Sequence, residues 1–167
     1  RNSLIICPNP RSYQTSKELV KLIKEIGGLS FVTLSRQAVV SFTVLLMNNI
    51  LFDFGGTYQG FNADITRTFF LEEINEIQKN VYNNVLEANL IGIKNSIIPK
   101  TMHEIDDSTT NVLENGGFKE FIVHKTGHGL GLDVHEDPYI VRGNHSSLEE
   151  GMIITIEPGL YLPGKFG

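Results

Sequence analysis

The chain is short of cysteine, of positive charge and of long apolar runs, and each shortage removes a class of function. Cys7 is its single cysteine, so an intrachain disulfide is impossible and a cysteine-built metal site is excluded. One cysteine also fits a reducing compartment, and a cytoplasmic location is expected. Lys and Arg total 14 against 19 Asp and Glu, a formal net charge of −5. Nucleic acid and anionic membrane, which recruit clustered Lys and Arg, are not expected partners. The longest apolar run, Ala38 to Met47, is broken by Ser41 and Thr43 and falls far short of the ~20 residues of a spanning helix. No N-terminal charged-then-apolar signal, internal repeat, low-complexity stretch or linker stands out. What remains is 167 residues, 41% of them apolar, enough for one domain with a sizeable core.

Local patterns give an α+β order of elements. Thr15-x-x-Glu18 is a capping box opening a helix with Leu19, Leu22, Ile23 and Ile26 at helical spacing, ended by Gly27-Gly28. Residues 30–54 are rich in branched and aromatic side chains and read as strand, with a turn at Asn48-Asn49. Residues 55–60 read as a glycine-rich loop, and residues 64–71 as a returning strand. Ile74, Ile77, Val81, Val85 and Ala88 predict an amphipathic helix over residues 72–93. Thr101-x-x-Glu104 caps a second, shorter helix that stops at Asn115-Gly116-Gly117. Residues 118–124 and 152–157 read as further strands.

Three islands carry the chemistry: Leu51-Phe-Asp-Phe-Gly55 with Ala63-Asp-Ile-Thr-Arg-Thr68, His124-Lys-Thr-Gly-His-Gly129 running to Val134-His-Glu136, and Ile154-Thr-Ile-Glu-Pro-Gly159. A hairpin closed about Tyr58-Gln59 would set Asp53 directly opposite Asp64, with Cβ atoms about 4.5–5.5 Å apart. Two carboxylates there repel unless a cation lies between them; two exposed turn-flanking aspartates are the plainer alternative. The glycines around His128 forbid the helix that a His-Glu-x-x-His zinc motif needs and allow close approach of a ligand. His124, His128 and His135 cluster around that turn, whereas His103, in a helix, and His145, in a polar loop, read as surface residues. Glu157 ends a strand whose other face is apolar through Ile154 and Ile156, and a lone glutamate before Pro-Gly is most often solvated. Together, Asp53, Asp64, His128 and Glu157 form a set of hard oxygen donors with one imidazole. That mix suits Mn²⁺, Co²⁺ or Fe²⁺ better than a thiolate-type zinc site, and the excess of carboxylates suggests two ions.

In order and wording these islands resemble the pita-bread metallopeptidases, the methionine aminopeptidases, aminopeptidases P and Xaa-Pro dipeptidases (prolidases). The resemblance implies an α+β pita-bread catalytic domain over residues 15–167, with residues 1–14 unassigned. It implies that Asp53, Asp64, His128 and Glu157 bind two divalent ions, Mn²⁺ or Co²⁺ first, with Zn²⁺ or Fe²⁺ as alternatives. His124 and His135 match histidines that contact substrate and the tetrahedral intermediate, and Glu157 would also shuttle a proton. The wording Asp64-Ile-Thr-Arg-Thr68 and Val134-His-Glu-x-Pro138-Tyr139 looks like the Xaa-Pro branch. The implied activity is a metallo-exopeptidase cleaving before proline at a peptide N-terminus, with such peptides as partners and a homodimer in the full-length parent.

The chain departs from the family pattern in two places. The family has a further metal-binding glutamate on a strand beyond Gly164-Lys-Phe-Gly167, so the catalytic domain is expected to be incomplete at its C-terminus. The stretch before Asp53 is shorter than the family's, and Gln37-Ala-Val-Val-Ser-Phe42 offers no pocket histidine. A catalytically impaired remnant or peptide-binding module is therefore the competing class, and a methionine-type aminopeptidase the third.

Overall fold

Pairing of backbone groups, more than side-chain pattern, decides the first half of this fold. The computed structural model describes residues 42–46, 49–70 and 73–167; the expected helix beginning at Thr15, the Gln37–Phe42 stretch up to residue 41 and residues 1–14 lie outside them. Strands β1 (Phe42–Leu46), β2 (Asn49–Tyr58) and β3 (Phe61–Phe70) form an antiparallel sheet in that order. Leu46 pairs with Asn49, so Asn49 belongs to a strand and not to the expected turn at Asn48-Asn49.

The β2–β3 hairpin closes one residue later than expected, at Gln59-Gly60, with φ of 52° and 88°. Both central residues of this turn need positive φ, which glycine adopts freely and a bulky Tyr58 would resist. Residues 55–58 are consequently strand and not loop. The shift moves every pairing by two: Asp53 lies opposite Thr66 and Asp64 opposite Gly55. The two aspartates still share a sheet face, but diagonally, at the about 7–8 Å typical of such neighbours. Direct opposition is thereby corrected. Gly55 lies in close approach to β3, where a Cβ on the unshifted strand would sit 1.9 Å from the Ala63 carbonyl oxygen.

Helix α1 (Glu76–Asn95) starts four residues later than its periodicity suggested, because Asn75 and Gln78 form a reciprocal capping box. Its buried stripe is Gln78, Val81, Val85, Ala88, Asn89 and Gly92. Ile77, expected on the apolar face, is instead 65% exposed. Helix α2 (Met102–Asn115) has the predicted Thr101–Glu104 capping box, and Gly117 at φ 83° follows it. Val81, Val85 and Ala88 of α1 pack on Leu113, Leu160 and Phe166; Met102 and Ile105 of α2 pack on Ile140, Leu148 and Ile156.

Residues 118–124 are not a strand. Lys119–Phe121 forms a single 3₁₀ turn, because Phe118, Phe121 and Ile122 all pack against the first core cluster, a spacing of three and four that alternation cannot satisfy. Strand β4 (Gly127–Gly129) pairs antiparallel with β5 (Glu136–Ile140). On its other side the extended segment 153–157 runs antiparallel to β4. Leu130 N–H donates to the Ile153 carbonyl, Thr155 N–H to that of His128 and Glu157 N–H to that of Thr126. Only a bridge between Gly129 and Ile154 is regular there. Its alternation is as expected: Ile154 and Ile156 face the second core cluster, and Thr155 and Glu157 face away from it. No helix among the described residues is long and apolar enough to cross a membrane.

Candidate metal centre

His128 occupies the middle of a three-residue strand flanked by glycines, and its neighbours explain them. A Cβ on Gly127 would lie 1.9 Å from the Thr155 carbonyl oxygen, and one on Gly129 2.4 Å from that of Asp137. Only bare backbone lets β4 sit between two segments this close, and that closeness fixes the His128 side chain. The ring Nδ1 lies 2.8 Å from the Gly129 carbonyl oxygen and, facing an acceptor, must donate. Nε2 is then the lone-pair nitrogen of the neutral ring, the tautomer that binds metals.

That Nε2 points toward two carboxylates. Glu157 Oε1 lies at 2.8 Å and Asp64 Oδ2 at 3.5 Å. The approach to Glu157 is short but off the direction of a hydrogen bond, so the enclosed Nε2 has no hydrogen-bond partner. Candidate ligand atoms of Asp64, His128 and Glu157 all lie within 4.8 Å of one another. The His128 side chain is 2% exposed, that of Glu157 7% and that of Asp64 11%. Burial disfavours the imidazolium, but Asp64, Glu157 and the Gly129 carbonyl outweigh it and push the His128 pKa up to about 9. The same negative potential that holds a proton there attracts a cation. An orphaned buried nitrogen facing two carboxylates fits a divalent ion of the harder first-row kind.

Other side chains hold this group in place. Thr155 Oγ1 accepts the His128 N–H at 3.0 Å and donates to Glu157 Oε1 at 3.1 Å. Buried Asn89 on α1 donates from Nδ2 to the Ile156 carbonyl at 2.6 Å, anchoring the chain just before Glu157. Gly92, one turn on, leaves room for Ile156 and Thr109. Neither Asn89 nor Thr155 was singled out from the sequence. Asn89 lies on the buried stripe where a polar residue demands a partner, a signal that was there to be used.

The remaining candidates lie around this trio. Asp53, half-buried on β2, accepts a hydrogen bond from Thr66 Oγ1 at 3.2 Å and is not among the three that converge within 4.8 Å. His135 is exposed, with its ring centroid 4.3 Å from that of His128. His124 Nδ1 contacts the Lys125 carbonyl at 2.8 Å, and its ring packs beside Tyr161 at 5.4 Å. His145 is exposed as expected, but His103 is half-buried, accepts the Gly143 N–H at 2.9 Å and stacks near His145. His103 thus ties α2 to the loop after β5.

Comparison with known proteins places this geometry in company. A model described as metallopeptidase family M24 matches residues 46–167. The Xaa-Pro dipeptidase of Pyrococcus horikoshii is 41% identical over 114 residues, which are 68% of this chain and 32% of that protein. The chain spans about a third of the length of the curated relatives it matches. Among solved structures, the prolidase from Pyrococcus furiosus superposes with a TM-score of 0.72 at 30% identity, over 92% of this chain and 49% of that one. The X-Pro aminopeptidase from Thermotoga maritima does so with a TM-score of 0.68 at 41% identity, over 71% and 34%. The expected α+β pita-bread architecture is borne out by these superpositions.

Proposed function

The chain belongs to metallopeptidase family M24, and from that premise we propose that it contributes a two-metal centre for hydrolysis of the peptide bond before proline at a peptide N-terminus. The observation that carries this reading is the orphaned, buried His128 Nε2 facing Asp64 and Glu157. Asp64, His128 and Glu157 would hold one divalent ion. Asp53, diagonal to Asp64 on the same sheet face, would help hold a second. Mn²⁺ or Co²⁺ suits these donors, with Zn²⁺ or Fe²⁺ as alternatives. Such ions, when bound, supply Lewis acidity toward a carbonyl oxygen and activate water.

The chain's own residues would do the rest. His128 presents a fixed lone pair because its Nδ1–H is committed to Gly129. His135, exposed beside His128, would donate a hydrogen bond to the oxygen that gains charge as the carbonyl is attacked. His124, packed on Tyr161, would line the substrate side. Glu157 would carry a proton from water to the leaving imino nitrogen. The Xaa-Pro names of the relatives support proline as the second residue of the substrate. Residues 15–167 would form part of one catalytic domain, and the cytoplasm suits a peptidase with one cysteine.

The decisive measurement is metal content after dialysis against Co²⁺, followed by hydrolysis of Xaa-Pro peptides. Two ions per chain and metal-dependent cleavage are expected. Asp64→Asn should abolish cleavage while leaving the circular dichroism spectrum unchanged; undiminished cleavage would overturn the assignment. Preference for peptides beginning Met-Gly would point to the methionine branch.

A further inference from the structure

Asp64 lies on the β2–β3 hairpin and His135 on the loop between β4 and β5, and one side chain spans the gap between them. Asn62 lies two residues before Asp64 on β3 and so shares its sheet face. Its backbone N–H donates to the Gly131 carbonyl at 2.8 Å. Its Nδ2 donates to the Leu132 carbonyl at 2.8 Å and reaches that of Gly131 at 3.2 Å. Its Oδ1 accepts from Thr57 Oγ1 at 2.8 Å, across the hairpin pair Thr57–Asn62. Both ends of the amide are engaged, which fixes its orientation.

The loop so gripped is anchored by half-buried Leu130 and Val134, and its remaining side chains have little apolar hold. Leu132 is 70% exposed and His135 is exposed. Internally the loop is closed by polar contacts, Gly131 N–H to the Asp133 carbonyl at 3.2 Å and Asp133 N–H to Glu136 Oε2 at 3.0 Å. Its first residue is tied by Leu130 N–H to the Ile153 carbonyl at 3.0 Å, and its front edge at Gly131 and Leu132 is held by Asn62. Its last residue, His135, has its ring 4.3 Å from His128.

We propose that Asn62 is a positioning residue that sets the His135 ring beside His128 by clamping the Gly131 and Leu132 carbonyls to the hairpin. The clamp keeps the carboxylate-bearing hairpin and the imidazole-bearing loop in mutual register. Its catalytic consequence rests on the function proposed above; the geometric claim does not.

Asn62→Asp tests it in the 167-residue chain. The variant keeps the shape, loses both Nδ2 donors and sets a carboxylate against two carbonyls. The His135 ring Cε1–H resonance, assigned with His135→Gln, is expected to move toward that of an exposed histidine as it leaves the His128 ring. Co²⁺ affinity should be unchanged, and kcat toward an Xaa-Pro peptide should fall about tenfold or more with a smaller change in KM. Thr57→Val, which only frees one end of the amide, should give a smaller displacement in the same direction. An unmoved His135 resonance in folded Asn62→Asp overturns the proposal, as does a matching loss of Co²⁺ affinity, which would make Asn62 merely structural. If Asn62→Asp does not fold, an unmoved resonance in Thr57→Val overturns it. If the unaltered chain neither binds Co²⁺ nor cleaves peptide, the proposed function fails while the resonance still decides the role of Asn62.

Discussion

The candidate centre is assembled from two regions built on opposite terms. His128 and Glu157 come from β4 and the segment beside it, where bare glycines let three backbone runs crowd together and backbone pairing with the Thr155 hydroxyl holds the chain, leaving the His128 Nε2 unpartnered. Asp53 and Asp64 come from a hairpin whose register is set by one turn, and whose outer face leaves Phe54, Tyr58, Phe61 and Ile65 exposed. The first region is held by burial and by neighbours on both sides; the second by its own strand pairing. Precision at the imidazole and glutamate is thus set by packing, and precision at the aspartates by a turn.

Removing ligands from each region should separate them most sharply. His128→Ala deletes the one nitrogen donor and should weaken Co²⁺ binding by about a hundredfold or more, measured by calorimetric titration. Asp53→Asn should leave at least one ion bound, since Asp64, His128 and Glu157 converge without it. Equal losses from both variants would erase the distinction.

The glycines offer a stability test at matched geometry. A Cβ at Gly127 and one at Gly55 would each meet a carbonyl oxygen at 1.9 Å. Gly127→Ala should cost about 3 kcal/mol, because β4 is wedged between two segments, and Gly55→Ala about 1 kcal/mol, because a hairpin strand can shift. Urea unfolding reads both, and the reverse order would mean that the hairpin is the stiffer half.

The smallest effect concerns acid. Arg142, after β5, pairs with Glu114 at 2.8 Å and Asp107 at 3.0 Å on α2, bracing the β4–β5 half. The hydrogen bond from Arg142 holds the Glu114 carboxyl below its ordinary 4.5. A depressed carboxylate stabilises the fold above its unfolded value and loses that contribution as pH falls through the folded one. The protection factors of the β5 amides, exchange rates corrected for the intrinsic pH dependence, should therefore fall slightly below pH 4.5 in the native chain, and Glu114→Gln should reduce that fall.

Much of this was legible in the residues. Thr101-x-x-Glu104 and Gly116-Gly117 bound α2 as read, because caps are local chemistry. The three islands do supply the converging trio, because donor type and order survive without coordinates. The hairpin register did not survive, since it turns on which two residues take positive φ, and Gln59-Gly60 differs from Tyr58-Gln59 by a single step. The strand expected at residues 118–124 failed because branched and aromatic composition says nothing of which neighbours bury it. Asn62 was invisible because its partners lie about 70 residues away in sequence, and Asn89, though a polar residue on a buried stripe, gave no sign that its partner is the Ile156 carbonyl.

The crowding at Gly127 and Gly129 also changes how a saturation mutagenesis screen of this chain would be interpreted. Both positions should reject every substitution, because even a methyl group collides with fixed backbone. Their intolerance would equal that of His128 in any growth-based score while arising wholly from sterics. A map of essential positions would then draw the centre wider than its chemistry, and counting bound metal in the surviving folded variants is what would trim it back to the residues that hold the ion.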